Sequence, residues 1–163
     1  MRTKKLTYLA LTSAVALMLS YVEFLLPPIY AAVPGIKVGL PNIVVLFVLY
    51  RFGVREAATV SLVRMLLSTL FFGTPMMLIY SIAGAVLSLA FMSFFKRLNW
   101  FSEVGVSIIG GVAHNLGQIL VAMALLETVE IGYYMFVLAI SGTLAGVFIG
   151  LVGALLMKRF NKC

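Results

Sequence analysis

An arginine in the middle of an apolar segment is the first residue of this sequence that suggests chemistry. Arg64 lies nine residues after Arg55, or about 13–14 Å along a helix that rises ~1.5 Å per residue. Ser61 and Ser68 share its face of that helix. A charge at the centre of a transmembrane helix costs at least ~2.5–3.5 kcal/mol, so we expect this polar stripe to face the bundle interior. Two interpretations are open: Arg64 binds a ligand, or it pairs with a carboxylate or caps backbone carbonyls.

A second polar cluster lies in a later apolar segment, in the run GGVAHNLGQ that ends at Gln118. His114 and Gln118 are four residues apart and therefore share a helix face, whereas Asn115 points to a neighbouring face, where we expect it to pack. One interpretation is that His114 makes an interhelical hydrogen bond; the other is a donor and acceptor set for a small polar ligand. No second histidine, cysteine or acidic residue has ligand spacing with His114, so no metal site is expected.

The remaining candidates flank an irregular segment between the first two apolar stretches. Glu23 lies near the outer end of the first stretch, either solvated at the interface or paired with Arg64 or Lys37. Proline and glycine interrupt the run PGIKVGLPN, which ends at Asn42, so we expect an outer loop that re-enters the membrane at Pro41. Irregular backbone is tolerated at that depth where it is buried or lines a cavity. Lys37 is the cation of this loop, and it either snorkels to the surface or faces the cavity.

Composition determines which elements can position these residues. The chain has 163 residues, 63% of them hydrophobic and 10% charged, with a mean hydropathy of +1.15. These values exclude a water-soluble enzyme and a disordered tail, and the single cysteine, Cys163, excludes an internal disulfide. Because the apolar stretches lack period-2 alternation, we predict an all-α bundle of six transmembrane helices in a single domain, residues 1–163. The predicted spans are 6–26, 39–52, 57–72, 75–95, 104–126 and 133–157.

The basic residues predict the topology. The net charge is +7, and ten of the twelve Lys and Arg residues fall on one side of six spans. We therefore expect both termini in the cytoplasm and a multi-pass protein of the plasma membrane, with no nucleic-acid partner. The first span is too long for a signal-peptide core and lacks a clear cleavage site, so we expect it to be retained. The ten residues are Arg2, Lys4, Lys5, Arg51, Arg55, Lys96, Arg97, Lys158, Arg159 and Lys162.

Small residues at helical spacing indicate close helix packing. Gly142, Gly146 and Gly150 favour contacts inside the chain, whereas Ala10 and Ala14 on the first span fit a partner surface equally well. The sequence contains no Walker motif, nucleophile elbow or paired carboxylates. We therefore expect no catalytic residue and no cofactor, and any ATP-driven activity has to come from a partner.

Taken together, these residues resemble a known membrane family. The similarity is to the Gx transporter proteins, also labelled heptaprenyl diphosphate synthase component I, and more distantly to the S components of energy-coupling-factor (ECF) vitamin transporters. The S-component resemblance implies six helices, alanines on the first helix that face a coupling subunit, and a ligand cavity that opens outward. Ala10 and Ala14 match that alanine motif by spacing. The segments that carry the family resemblance are Leu19–Glu23, Pro34–Asn42, Arg64 and Ser107–Gln118.

We therefore expect a small-molecule-binding subunit of a transporter, driven by a coupling subunit with its ATPases. Its ligand cavity is expected in the outer half of the bilayer, bounded by Glu23, Lys37, Asn42, Arg64, His114 and Gln118. One alternative is a membrane partner subunit in isoprenoid–quinone metabolism or in extracytoplasmic electron transfer. Another is a scaffold whose polar groups all pair internally. The sequence leaves the ligand's identity open.

Overall fold

All regular structure in the described part of the chain is helical. The computed structural model describes residues 2–25, 39–127 and 129–160. This confirms the predicted all-α, six-helix architecture. The helices are α1 (Arg2–Leu25), α2 (Asn42–Arg51), α3 (Val54–Phe72), α4 (Pro75–Leu98), α5 (Glu103–Leu126) and α6 (Met135–Phe160), with a short 3-10 helix (Glu130–Tyr134) before α6.

Two of the helices differ from the other four in how they fit a membrane. α1, α4, α5 and α6 belong to helical segments that are long and apolar enough to cross a bilayer. α3 has nineteen residues but contains the charged Arg55, Glu56 and Arg64. α2 is shorter than the predicted span 39–52: it has ten residues, which rise about 15 Å, or half of a ~30 Å hydrocarbon core. Its start is delayed to Asn42 because Gly39 adopts a φ of +76° and a turn precedes the helix.

The helices surround a shared interior. α3 packs on α4, α4 on α5, α5 on α6, α6 on α2, and α2 on α3, while α1 packs against α3 and α2. The contact between α5 and α6 depends on glycine: a Cβ at Gly146 would lie 2.5 Å from Ile108 Cα, and one at Gly111 would clash with Gly142 O. The glycines of α6 therefore serve packing within the chain, and they bring the two backbones into direct contact.

One end of the bundle is apolar inside and basic at its rim. Leu46, Val48 and Leu49 of α2 are completely buried there. Lys96 of α4 donates a 2.7 Å hydrogen bond to Leu49 O, and its Nζ lies 4.7 Å from the centre of the Tyr50 ring, so this cation caps the end of α2.

Contacts at the same end attach both described chain ends to the α2 region. Phe160, at the end of α6, packs on Phe47 of α2. Tyr8, near the start of α1, packs on Phe52, just beyond α2. α1 and α3 are also joined there by the ion pair of Lys5 and Glu56. The assignment of this end to the cytoplasm stays a prediction from the basic residues.

Candidate functional site

A polar cavity occupies the opposite end of the bundle. Its volume is about 90 Å³, several times the ~10–15 Å³ that one water molecule requires, so it has room for a small polar molecule. All six helices contribute to its wall. The polar lining residues are Ser20, Glu23, Asn42, Arg64, Ser68, Ser81, His114, Asn115 and Gln118.

The predicted ligand-binding residues meet in this cavity. Those within the described ranges lie on four different helices and are widely separated in sequence, and all of them line the cavity. Lys37 lies outside the described residues. The converging residues are Glu23 from α1, Asn42 from α2, Arg64 from α3, and His114 and Gln118 from α5.

Arg64 reaches from the middle of α3 towards α1. Its Nη1 donates a long hydrogen bond of 3.4 Å to Ser20 Oγ, and the Ser20 hydroxyl itself donates to Ala16 O at 3.0 Å. Nε of Arg64 is buried and has no hydrogen-bond partner among the described residues. A guanidinium group has five N–H donors, so most of this donor capacity is unused by the described part of the chain. The interpretation that Arg64 caps backbone carbonyls therefore finds no support in the described contacts.

Glu23 holds the start of the α2 segment and lines the cavity together with Arg64. Its Oε1 accepts a hydrogen bond from the backbone N–H of Gly39. The backbone of Gly39 has a φ of +76°, which glycine adopts without strain, and a Cβ there would lie 3.0 Å from Asn42 Nδ2. These contacts place Glu23 at the cavity wall, and its pairing with Arg64 or Lys37 stays a prediction.

His114 combines an interhelical contact with a position on the cavity wall. Its imidazole lies against the backbone of Gly84 in α4. A Cβ at Gly84 would lie 2.8 Å from His114 Cε1, so glycine at this position makes room for the ring. The two interpretations of His114 are therefore compatible, because a ring held against α4 still borders the cavity.

Asn115 connects α5 to α6 as well as lining the cavity. Its Nδ2 donates a 2.6 Å hydrogen bond to Leu138 O. Nδ2 also lies against Gly142, where a Cβ would approach it to 2.9 Å. The packing role expected for Asn115 is therefore observed, together with a place on the cavity wall.

Part of the cavity wall was not predicted from the sequence. Ser20 lies three residues before Glu23 on α1, and this helical spacing could have identified it. Ser81 and Met77 of α4 also border the cavity, but a lone serine in an apolar helix has no distinctive signal. Ser61, on the predicted stripe with Arg64, is buried without lining the cavity, whereas Ser68 does line it.

The predicted partner-contact residues lie on a different surface. Ala10 and Ala14 are both on the exposed face of α1, away from the cavity. Within the described residues, no three His, Cys, Asp or Glu side chains are grouped so that they could hold a metal ion.

Comparison with known proteins places the chain in a family. No curated protein and no solved structure matches this sequence. A family model described as heptaprenyl diphosphate synthase component I matches residues 12–156. That range contains all the residues found to line the cavity, as well as Ala14, while Ala10 precedes it. The chain therefore belongs to the heptaprenyl diphosphate synthase component I family of membrane proteins.

Proposed function

We propose that this chain is the small-molecule-binding membrane subunit of a transporter and that its ligand occupies the polar cavity. The observation that carries the proposal is the convergence of polar side chains from five helices, α1 to α5, on one cavity. The other end of the same bundle interior is filled by aliphatic side chains. Polar and ionisable groups inside a membrane protein commonly mark a substrate pathway, because burying them is costly.

We assign a different role in ligand binding to each polar residue of the cavity. Arg64 attracts an acidic group of the ligand, since its guanidinium donors are largely unused by the described chain. His114 and Gln118 orient the ligand, Asn42 adds a donor and an acceptor, and Glu23 balances charge or binds an amine. Lys37 stays a prediction as a second cation.

Transport also requires energy and movement, which we assign to a partner. The sequence has no nucleotide-binding motif, so a coupling subunit with its ATPases supplies the energy. We propose that this partner docks on Ala10 and Ala14, because these small side chains lie on an exposed face of α1 and allow close helix approach. The cavity then faces the outer side of the plasma membrane, opposite the basic end of the bundle.

A second candidate function rests on the family's name. Heptaprenyl diphosphate synthase component I suggests an accessory membrane subunit of a prenyl-chain-forming enzyme, in which the cavity would serve a lipid-derived molecule. The polar lining of the cavity favours the first proposal, because a prenyl chain gains most from an apolar wall.

Native mass spectrometry of the protein in lipid nanodiscs tests the proposed binding site. We expect a small polar molecule to accompany the wild-type protein and to be lost in Arg64→Met and His114→Ala. Leu70→Ala is the control, because Leu70 is 76% exposed and outside the cavity. Retention of the molecule in both site variants would rule out this cavity as its binding site, and a bound prenyl lipid or quinone would favour the second function.

Affinity capture tests the proposed partner. The wild-type protein is expected to retain a membrane subunit and ATPases, and the double variant Ala10→Leu, Ala14→Leu is expected to lose them while keeping its bound molecule. Ala58→Leu provides the matched control, since Ala58 is an exposed alanine on α3. Capture of a prenyltransferase in place of ATPases would contradict the transporter assignment.

A further inference from the structure

The turn between α4 and α5 lies at the basic end of the bundle and is capped on both sides. α4 ends at Leu98, and Asn99 follows in the left-handed region with a φ of 54°, where its N–H donates to Lys96 O at 3.4 Å. Ser102 precedes α5, and its hydroxyl accepts a 3.3 Å hydrogen bond from the Gly105 N–H. Asparagine and serine are favoured at these two kinds of helix end, so the turn has a defined conformation.

Within this turn, one aromatic ring packs on the bundle and the other lies on the surface. Phe101 packs edge-on against Phe95 of α4, with the ring centroids 5.5 Å apart. Gly105 leaves room for it, since a Cβ there would lie 3.1 Å from Phe101 Cβ. Trp100, the one tryptophan of the chain, is 76% exposed. Tryptophan at the surface of a membrane protein is typical of the level of the lipid headgroups.

The apolar surface of α4 leads to this turn. Phe91 and Phe94 lie three residues apart, so they share a helix face, and both are exposed. Trp100 follows at the end of the same helix, where the apolar surface meets the basic end of the bundle. The turn therefore offers an apolar face for an acyl chain and an amphipathic ring at the boundary with the headgroups.

Arg97 provides the charge beside the exposed ring. The preceding residue, Lys96, is engaged in capping α2 through Leu49 O, whereas Arg97 is exposed. Arg97 lies three residues before Trp100, which is at most ~11 Å along the chain. A guanidinium group can make two parallel, charge-assisted hydrogen bonds to phosphate oxygens.

The surrounding charge of this end has the same sign as Arg97. In the described ranges, its carboxylates are Glu56, which pairs with Lys5, and Glu103. The electrostatic field at this end therefore attracts negatively charged groups. The described cations of this end are Lys4, Lys5, Arg51, Arg55, Lys96, Arg97, Lys158 and Arg159.

From this combination we infer that the α4–α5 turn binds an anionic phospholipid, with the headgroup at Arg97, Trp100 at the interface and an acyl chain along α4. An acidic protein would satisfy the charge alone, but the exposed phenylalanines of α4 continue the site into the bilayer. A zwitterionic headgroup carries its own ammonium group, which compensates its phosphate, so a lipid with a net negative charge is preferred. This inference is independent of the proposed function.

Quenching of tryptophan fluorescence by brominated phospholipids tests this site, because Trp100 is the one tryptophan of the chain. The full-length protein is reconstituted in mixtures of phosphatidylglycerol and phosphatidylcholine, with either lipid brominated in its acyl chains. The ratio of quenching gives the relative affinity of the two lipids beside Trp100. We expect phosphatidylglycerol to be preferred about fivefold, as for one cation close to an anionic headgroup. The preference should decrease in about 0.5 M NaCl, because salt screens exposed charges.

Charge variants show whether the preference depends on the turn itself. Arg97→Gln is expected to remove most of the preference, and Arg97→Lys to retain most of it because the charge is kept. Lys4→Gln is the control: it also removes one exposed cation of the basic end, but from α1, which packs on α3 and α2. This control should leave the preference nearly unchanged.

Three results would overturn the inference. Equal quenching by the two lipids in the wild-type protein would show that this turn does not select an anionic headgroup. Absence of quenching by either lipid would place Trp100 away from the bilayer and favour a protein partner at the turn. Equal losses of preference in Arg97→Gln and Lys4→Gln would show a response to the total charge of the basic end and refute a site at Arg97.

Discussion

The two ends of this helix bundle differ in what fills the space between the helices. At the basic end, α2 buries aliphatic side chains against α1, α3 and α6, and Leu46, Val48 and Leu49 are completely enclosed. At the other end, α3 and α5 present Arg64, His114 and Gln118 to a cavity of about 90 Å³. The basic end is filled by apolar side chains, whereas the other end contains a cavity lined by polar groups.

The two ends are therefore expected to differ in their contributions to the stability of the fold and to ligand binding. Aliphatic side chains at the basic end are stabilised by close packing, so removal of side-chain volume there directly lowers the stability of the fold. At the cavity end, Gly84 leaves room for the His114 ring, and the buried Nε of Arg64 has no hydrogen-bond partner among the described residues. Such an arrangement is costly for stability and useful for binding. Substitutions at the basic end should therefore reduce stability, and substitutions in the cavity should mainly reduce binding.

The largest loss of stability is expected at the basic end, from Leu49→Ala. Leu49 has no exposed surface, so truncation removes packed atoms and leaves a void, with an expected cost of ~2–5 kcal/mol in the free energy of unfolding. Reversible unfolding in mixed micelles measures this value. Leu70→Ala is the matched control, because Leu70 is 76% exposed and should cost much less. Equal effects of the two variants would contradict the contrast between the ends.

A smaller loss is expected from Gly146→Ala, along the contact between α5 and α6. A Cβ at this position would lie 2.5 Å from Ile108 Cα and 2.9 Å from Ser107 O, so the two helices have to separate. Overpacking of this kind costs ~1–3 kcal/mol and should lower the thermal unfolding midpoint. Gly132→Ala serves as control, since its Cβ would meet Met123 at an ordinary 3.8 Å. An unchanged midpoint in Gly146→Ala would show that this contact is looser than described.

The smallest of these losses is expected from Asn115→Ala, at the boundary between packing and cavity. The variant removes the 2.6 Å hydrogen bond to Leu138 O, and interhelical hydrogen bonds in membranes contribute ~0.6–2 kcal/mol. Gln118→Ala is the matched amide control, because the described residues form no interhelical hydrogen bond with its side chain. It should leave stability nearly unchanged and weaken ligand binding. A larger loss of stability in Gln118→Ala than in Asn115→Ala would contradict the division between the two roles.

Much of the site could be predicted because the bilayer makes polar residues conspicuous. Arg64, His114 and Gln118 stood out against apolar segments, and their helical spacing indicated which side chains share a face. Ser81 and Met77 could not be predicted, because lining a cavity depends on which neighbouring helices meet there and leaves no trace in local spacing. The partition of the Arg64 stripe, in which Ser68 lines the cavity and Ser61 is buried, likewise depends on the packing of neighbouring helices against α3.

By itself, the sequence determined the helical class, the approximate bounds of the helices and the few polar positions that a membrane interior has to accommodate. Its hydrophobic runs suffice for this, because the backbone in lipid has to satisfy its hydrogen bonds within each helix. Only the tertiary structure decided that α2 is half a span long, that Gly84 makes room for His114, and that Glu23 accepts a hydrogen bond from Gly39. Those features depend on contacts between residues far apart in the chain. Such contacts are determined by how the surfaces of two helices pack against each other, and local sequence does not specify this.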